Sequence, residues 1–145
     1  MSGQLSLFKS KRQRGVKPPP ALEFKTHVMV ADALRIGAVP GWQWTHFPAG
    51  EARPSFVDAK GRRVSPASER LKRMGLQPGW PDFVLVSPQG RFHGLELKRG
   101  KAPLTLEQGV FQAWCADHLV PHAVARSFDE AITCLAGWGA IRVRL

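Results

Sequence analysis

The fold is decided by residues 79–98, which read GWPDFVLVSPQGRFHGLELK. Two runs rich in β-branched and large apolar residues flank Pro88-Gln89-Gly90, so this stretch predicts a β-hairpin with strands over 82–87 and 91–98. Proline suits the second position of a type I turn, and glycine suits the left-handed residue that closes a three-residue loop. A two-residue loop is disfavoured, because Pro88 would then enter the ladder without an N–H to donate.

The three-residue loop determines which residues face each other across the predicted hairpin. Ser87 then pairs with Arg91, and counting outward places Asp82 opposite Glu96. Directly opposed residues have Cβ atoms about 4.5–5.5 Å apart, so two carboxylates there repel each other. A divalent cation between them would relieve this repulsion, because carboxylate oxygens are ligands that Mg²⁺ and Mn²⁺ prefer. Alternation along the second strand puts Lys98 on the same face as Glu96.

A cluster of Asp82, Glu96 and Lys98 suits metal-dependent hydrolysis of a phosphodiester. The cation polarises the phosphate and acidifies a bound water, while the ammonium of Lys98 positions that water. The alternative is an exposed strand face, on which Lys98 only neutralises Glu96 and Asp82 caps a turn after a proline. The spacing alone leaves both interpretations open.

The composition of the chain indicates a polyanionic partner. Its 145 residues contain 21 Lys and Arg against 11 Asp and Glu, a formal net charge of +10, and nucleic acid is the first candidate. No run of about 18 apolar residues occurs, and no apolar run follows the first charges, so we expect a cytoplasmic protein without membrane contact. Cys115 and Cys134 lack a CxxC spacing and are expected to be reduced thiols.

Residues 1–20 carry five Lys and Arg without an acid and end in three prolines. This composition predicts a disordered basic arm, followed by one domain over 21–145. Whether the arm contacts DNA or only improves solubility stays open.

A second basic stretch covers residues 51–75. Ser65 followed by Pro66 predicts the start of a short helix, with Leu71 and Met74 forming an apolar edge opposite a positive surface. The candidate contacts to the nucleic-acid backbone lie here and just after the hairpin: Arg62, Arg63, Arg70, Lys72, Arg73, Arg99 and Lys101. Each of them is equally compatible with a solvated surface charge.

A helix is predicted over residues 21–36, which contain neither Gly nor Pro. At helical spacing Glu23, His27, Val30 and Leu34 fall on one stripe, which we expect to face the core. A carboxylate at the start of that stripe needs a cation or a hydrogen-bond donor. Alternatively, Glu23 lies half exposed in the first turn, where the helix dipole favours it.

The remaining elements complete a mixed fold. Thr105 with Gln108 forms a capping box that begins a helix reaching about residue 118. Strands are expected over 42–47 and 123–125, and Ser127 begins a last helix. The order of these elements agrees with an α/β fold of the mixed α+β kind, in which a small mixed sheet is flanked by helices, the fold that the resemblance described below implies.

The motif residues resemble a known nuclease superfamily. Pro81-Asp82 followed by Glu96-Leu97-Lys98 is similar to the motif of the PD-(D/E)xK nucleases. More narrowly, Glu23, the Gly79-x-Pro81-Asp82 element, Leu104-Thr105-Leu106-Glu107-Gln108 and the closing residues 125–131 resemble the virus-type replication-repair nuclease (VRR-NUC) domain. The resemblance covers about residues 21–138.

This resemblance implies a restriction-endonuclease-like core and a set of site residues. Asp82, Glu96 and the Leu97 carbonyl would hold Mg²⁺ or Mn²⁺, and Glu23 would support the metal shell. Lys98 would assist the attacking water. The site would be completed by one helical side chain, that of Gln108.

The implied activity is that of an endonuclease acting on DNA, selective for branched or Holliday-junction-like structures. We expect a homodimer, since one active site per small chain makes pairing two chains a way to cut two strands, and no nucleotide cofactor. Two alternatives are a general nickase or restriction-type nuclease, and a nucleic-acid-binding module without catalysis.

Overall fold

A computed structural model describes residues 20–48 and 53–143, with side chains from Glu23 onward in the first helix. The predicted basic arm lies outside these residues except for Pro20, which begins the first helix instead of ending the arm. Proline suits a first helical position, because its missing N–H would have no partner there.

Four helices and six strands occur in the described ranges. The helices are α1 (Pro20–Gly37), α2 (Pro66–Arg73), α3 (Leu106–Asp117) and α4 (Phe128–Gly137). The strands are β1 (Gln43–His46), β2 (Phe56–Val57), β3 (Arg63–Val64), β4 (Phe83–Val86), β5 (Phe92–Leu97) and β6 (His122–Ala125). Strands β1, β4, β5 and β6 form one sheet in that order, in which β5 and β6 are parallel and the other pairs antiparallel. The predicted α+β class with a mixed sheet is confirmed.

The hairpin of β4 and β5 has the predicted register. Phe83 pairs with Leu95, and the N–H of Ser87 donates to the carbonyl of Arg91 at 2.9 Å. Gly90 closes the loop in the left-handed region, with φ of +79°. The next residues outward from Phe83 and Leu95 are Asp82 and Glu96, which therefore lie opposite each other.

The core lies between this sheet and two helices. Val30 and Leu34 of α1 are buried, which confirms this part of the predicted stripe, whereas Glu23 at its start is exposed. The two join Leu95 and Leu97 of β5 and Phe83 of β4 in one apolar cluster. The period of two along β5 therefore sends its leucines into the core and its intervening polar side chains to the other face.

Three helices begin at the predicted polar residues. The side chains of Ser65, Thr105 and Ser127 each accept a hydrogen bond from the backbone N–H three residues further on. These caps satisfy N–H groups that have no partner inside the helix.

Two local features were not predicted from the sequence. Met74 is 71% exposed, so the expected apolar edge of α2 is not packed against the core. The sequence also missed the separate hairpin of β2 and β3, because strands of two residues are too short to show an alternating pattern. Cys115 and Cys134 are free thiols, as predicted. Among the helices that the structure describes, none is long and apolar enough to cross a bilayer.

Gly79, in the segment before β4, packs closely against the start of α3. Its φ is +91°, and a Cβ built on it would lie 2.4 Å from the carbonyl oxygen of Glu107. Gly61 has a similar φ of +74° but no atom within 4 Å of such a Cβ. The two glycines therefore share the conformational requirement, and only Gly79 has the close contact.

We expect Gly79→Ala to lower the free energy of unfolding much more than Gly61→Ala does. The control should lose about 1–2 kcal/mol for a left-handed non-glycine residue, whereas Gly79→Ala adds a backbone clash. Urea denaturation of both variants measures this difference. Equal losses would show that the contact with Glu107 does not hold α3 in place.

Candidate metal and catalytic site

Two acidic side chains from neighbouring strands meet at this site. Asp82 Oδ2 accepts a hydrogen bond from the backbone N–H of Leu97 at 2.7 Å, across the hairpin. Glu96 lies within β5 and is only 3% exposed. The alternative of an exposed strand face is therefore wrong, and Asp82 is directed toward β5 instead of capping a turn.

The sequence offers two positions for the side chain of Gln108, in the helix cap and beside the acidic pair. The structure shows both contacts. Gln108 Oε1 accepts the N–H of Thr105 at 2.9 Å, which completes the capping box of α3. Its Nε2 donates to Glu96 Oε1 at 2.6 Å. The cap thus fixes the amide so that its NH₂ end faces the buried carboxyl.

Lys98 lies on the same face of the sheet as Glu96, as the alternation predicts. Its Nζ is 3.7 Å from Glu96 Oε1, and its side chain is 16% exposed. The ammonium is therefore close enough to interact with the carboxyl electrostatically and is too distant for a short hydrogen bond.

Burial perturbs the pKa of both carboxyls, and repulsion by Asp82 adds to the effect at Glu96. Removal from water, together with the nearby charge of Asp82, raises the pKa of Glu96 to about 8, against the opposing effect of Lys98. Burial likewise raises the pKa of Asp82, although the N–H of Leu97 and the imidazole of His27 act in the opposite direction. The state in which both carboxyls are anionic is therefore disfavoured unless a further positive charge is bound.

The donor set fits a hard divalent cation. Within the described residues no three His, Cys, Asp or Glu side chains form a group that could hold a metal ion. Asp82 and Glu96 offer carboxylate oxygens, and Mg²⁺ commonly takes only one or two carboxylates besides water and substrate phosphate. Glu23 is exposed, and its charge raises the pKa of Asp82, so it lies near the pair. Its place in the metal shell stays a prediction, as does that of the Leu97 carbonyl.

Sequence reasoning did not place the two histidines, His27 and His46, that lie beside Asp82. His27 Nε2 lies 3.9 Å from Asp82 Oδ1. His46 Nδ1 donates a hydrogen bond to the Asp82 carbonyl at 2.8 Å, and the two rings meet edge to face at 5.3 Å. The position of His27 one turn after Glu23 on the same stripe was a usable signal. The contact of His46 depends on the pairing of β1 with β4 and has no local signal.

The predicted backbone contacts all lie on the surface. Arg62 is ion-paired with Asp58, and Lys72 with Glu69, as expected of solvated charges. No residue of α2 is buried, so this helix presents its cations to solvent. The exposed candidates are Arg62, Arg63, Arg70, Lys72, Arg73, Arg99 and Lys101. Their contact with DNA stays a prediction.

Comparison of the chain with protein-family models, curated proteins and solved structures gives no match. The resemblance to the VRR-NUC domain therefore stays a prediction. Function has to be inferred from the side chains of this chain alone.

The raised pKa of Glu96 makes stability depend on pH. The folded chain holds the Glu96 proton up to about pH 8, whereas the ordinary value is 4.5. Without divalent cations, the free energy of unfolding should therefore fall as pH rises through this window, by at most about 1.4 kcal/mol per pH unit.

Urea denaturation in EDTA at a series of pH values measures this slope. Glu96→Gln should flatten it, because no proton is then lost at this position. Glu69→Gln, which changes an exposed carboxylate of α2, is the matched control and should keep the slope of the parent chain. Equal slopes for the parent and Glu96→Gln would contradict the buried, protonated state.

Proposed function

We propose that this chain is a metal-dependent endonuclease that hydrolyses phosphodiester bonds in DNA. The observation that carries the proposal is the pair of half-buried Asp82 and buried Glu96, with the Lys98 ammonium 3.7 Å from the Glu96 carboxyl. Burying two acids beside each other is costly for a purely structural purpose, and a bound divalent cation would offset that cost.

Each side chain then has a separate task. Mg²⁺ or Mn²⁺ held by Asp82, Glu96 and the Leu97 carbonyl would polarise the phosphate and acidify water. Lys98 orients the attacking water and offsets the negative charge that develops on the phosphate. The Leu97 N–H fixes the direction of Asp82, and the Gln108 amide fixes that of Glu96. We propose Glu23 as a support of the metal shell from α1.

The substrate assignment depends on charge and on the resemblance. A net charge of +10 favours a polyanion, and the cations of α2 and of the loop after β5 are proposed to contact the backbone. We propose selectivity for branched DNA and a homodimer that cuts two strands, in the cytoplasm of a bacterial or phage-infected cell. The VRR-NUC assignment is part of the same proposal.

Cleavage assays test the proposed activity directly. Supercoiled plasmid and a four-way junction are incubated with Mg²⁺, Mn²⁺ or EDTA, beside Asp82→Asn and Lys98→Ala. We expect metal-dependent cleavage that either substitution lowers on the order of 100-fold or more, because each removes a charge aligned with the transition state. Faster cutting of the junction than of the plasmid supports the proposed structure selectivity.

Arg35→Gln is the control for loss of a charge, because Arg35 forms an exposed ion pair with Asp32 on α1. It should cut like the parent chain. Undiminished cleavage by Asp82→Asn and Lys98→Ala overturns the assignment. DNA binding without any cleavage by the parent chain favours a binding module.

Metal binding has its own readout in thermal stability. A ligand present at 100 times its dissociation constant stabilises the folded state by about 2.7 kcal/mol. Addition of Mn²⁺ should therefore raise the melting temperature of the parent chain and not that of Asp82→Asn. Asp58→Asn is the control, since Asp58 lies in the turn between β2 and β3. Equal shifts for both variants would exclude a metal site at Asp82.

A further inference from the structure

A small cavity lies beside the carboxylate pair. Its volume is about 140 Å³, and it is lined by Glu23, Thr26 and His27 of α1 together with Leu97, Lys98, Arg99 and Arg126. Since a water molecule occupies about 30 Å³ of liquid, the cavity has room for a phosphate group and not for a nucleoside. Three cationic side chains face it against one carboxylate.

The cavity lies at the carboxyl ends of the two parallel strands. The N–H of Lys98 donates to the carbonyl of Ala125 at 2.9 Å, which joins the ends of β5 and β6. The residues that follow, Arg99 and Arg126, therefore leave the sheet side by side. This end of parallel strands is where α/β proteins commonly bind their ligands.

Arg126 is held in place before any ligand arrives. Its Nη1 donates to the carbonyls of Gly100 at 2.9 Å and Ala102 at 2.7 Å. Its backbone N–H donates to Glu130 Oε2 at 2.7 Å. A guanidinium has five N–H donors, so three remain after these two bonds. A fixed guanidinium matches the paired oxygens of a phosphate.

We propose that this cavity binds a second phosphate of the DNA backbone, adjacent to the one that is cleaved, with Arg99 and Arg126 as its principal ligands. This inference rests on the proposed nuclease function. Lys98 and His27 line the cavity and also reach the acidic pair, at 3.7 Å from Glu96 and 3.9 Å from Asp82. The cavity therefore adjoins the proposed catalytic site, with which it shares Glu23, Leu97 and Lys98, and this closeness suits successive phosphates of one strand.

Glu23 opposes an anion in this cavity. Its carboxylate is outnumbered by Lys98, Arg99 and Arg126, so the lining keeps a net charge of two positive units at neutral His. Because Glu23 is exposed, water screens its charge more than that of the half-buried Lys98.

Binding of a fluorescent DNA duplex in EDTA tests the cavity without cleavage. Arg99→Gln and Arg126→Gln should each weaken binding about tenfold, as for a lost hydrogen bond between charged groups. Each should also reduce the slope of log affinity against log salt by about 0.9. Arg126→Lys should lie between the parent chain and Arg126→Gln, because it keeps the charge and loses the planar fork. Arg35→Gln is the matched control, expected to keep the affinity of the parent.

A neutral methylphosphonate placed at one backbone position at a time locates the contact. One position should weaken binding by the parent chain and leave Arg99→Gln unaffected, because the contact is then already lost. The side chain of Arg99 makes no hydrogen bond within the described ranges, so its variant should fold even if Arg126→Gln does not.

Parental affinity and salt slope for both glutamine variants would overturn the proposal. So would methylphosphonate effects that are the same in the parent chain and in Arg99→Gln at every position. Failure of the proposed nuclease function would be seen separately. The parent chain would then cleave no DNA, while its DNA binding would still depend on Arg99 and Arg126.

Discussion

The burial of two opposed carboxyls is the constraint on which the rest of the structure depends. The three-residue loop sets the register of β4 and β5, and this register brings Asp82 and Glu96 together. A slip of one residue would turn every side chain of β5 to the other face, removing its leucines from the apolar core and placing Glu96 there instead. The apolar core and the acidic pair therefore specify the same register. The stability of the leucine face is what keeps two mutually repelling groups in place.

The elements around the hairpin reduce the electrostatic cost of placing two carboxyls side by side, but they do not remove this cost. The N–H of Leu97 and the amide of Gln108 supply donors to the two carboxyls, and Lys98 supplies a partial counter-charge. The pKa of Glu96 nevertheless stays raised, to about 8, so the protein alone does not neutralise the pair. A site that is electrostatically incomplete in this way is typical of functional positions, because structural side chains are usually paired more fully. The close packing of Gly79 against Glu107 joins the segment that leads to Asp82 to the helix that carries Gln108, the donor to Glu96.

How much could be predicted from the sequence depends on whether the determinant was local. The register follows from Pro88 and Gly90, whose conformational preferences act within one turn, and the helix starts follow from single capping side chains. The amide of Gln108 could be placed because its cap and its contact with Glu96 depend on the same rotamer. By contrast, the contact of His46 joins residues 36 positions apart, and the two carbonyls that orient Arg126 precede it by 24 and 26 positions. No periodic pattern encodes such contacts, and they required the packed strands. The exposure of Met74 likewise could not be predicted locally, because a hydrophobic residue on a short helix is buried only if another element covers it.

The distribution of charge supports one orientation of the proposed DNA complex. Residues 102–125 contain neither Lys nor Arg, although the chain has 21 of them, and they include all of α3. The outer face of α3 exposes Leu106, Val110 and Trp114 instead. A polyanion gains little binding free energy at that face, because the face carries no Lys or Arg that could displace counterions from the phosphates. The cations resume at Arg126, at the same end of the sheet as Lys98 and Arg99. The backbone of DNA would therefore approach from the carboxyl ends of β5 and β6, so that one strand meets the acidic pair and the arginine-lined cavity together.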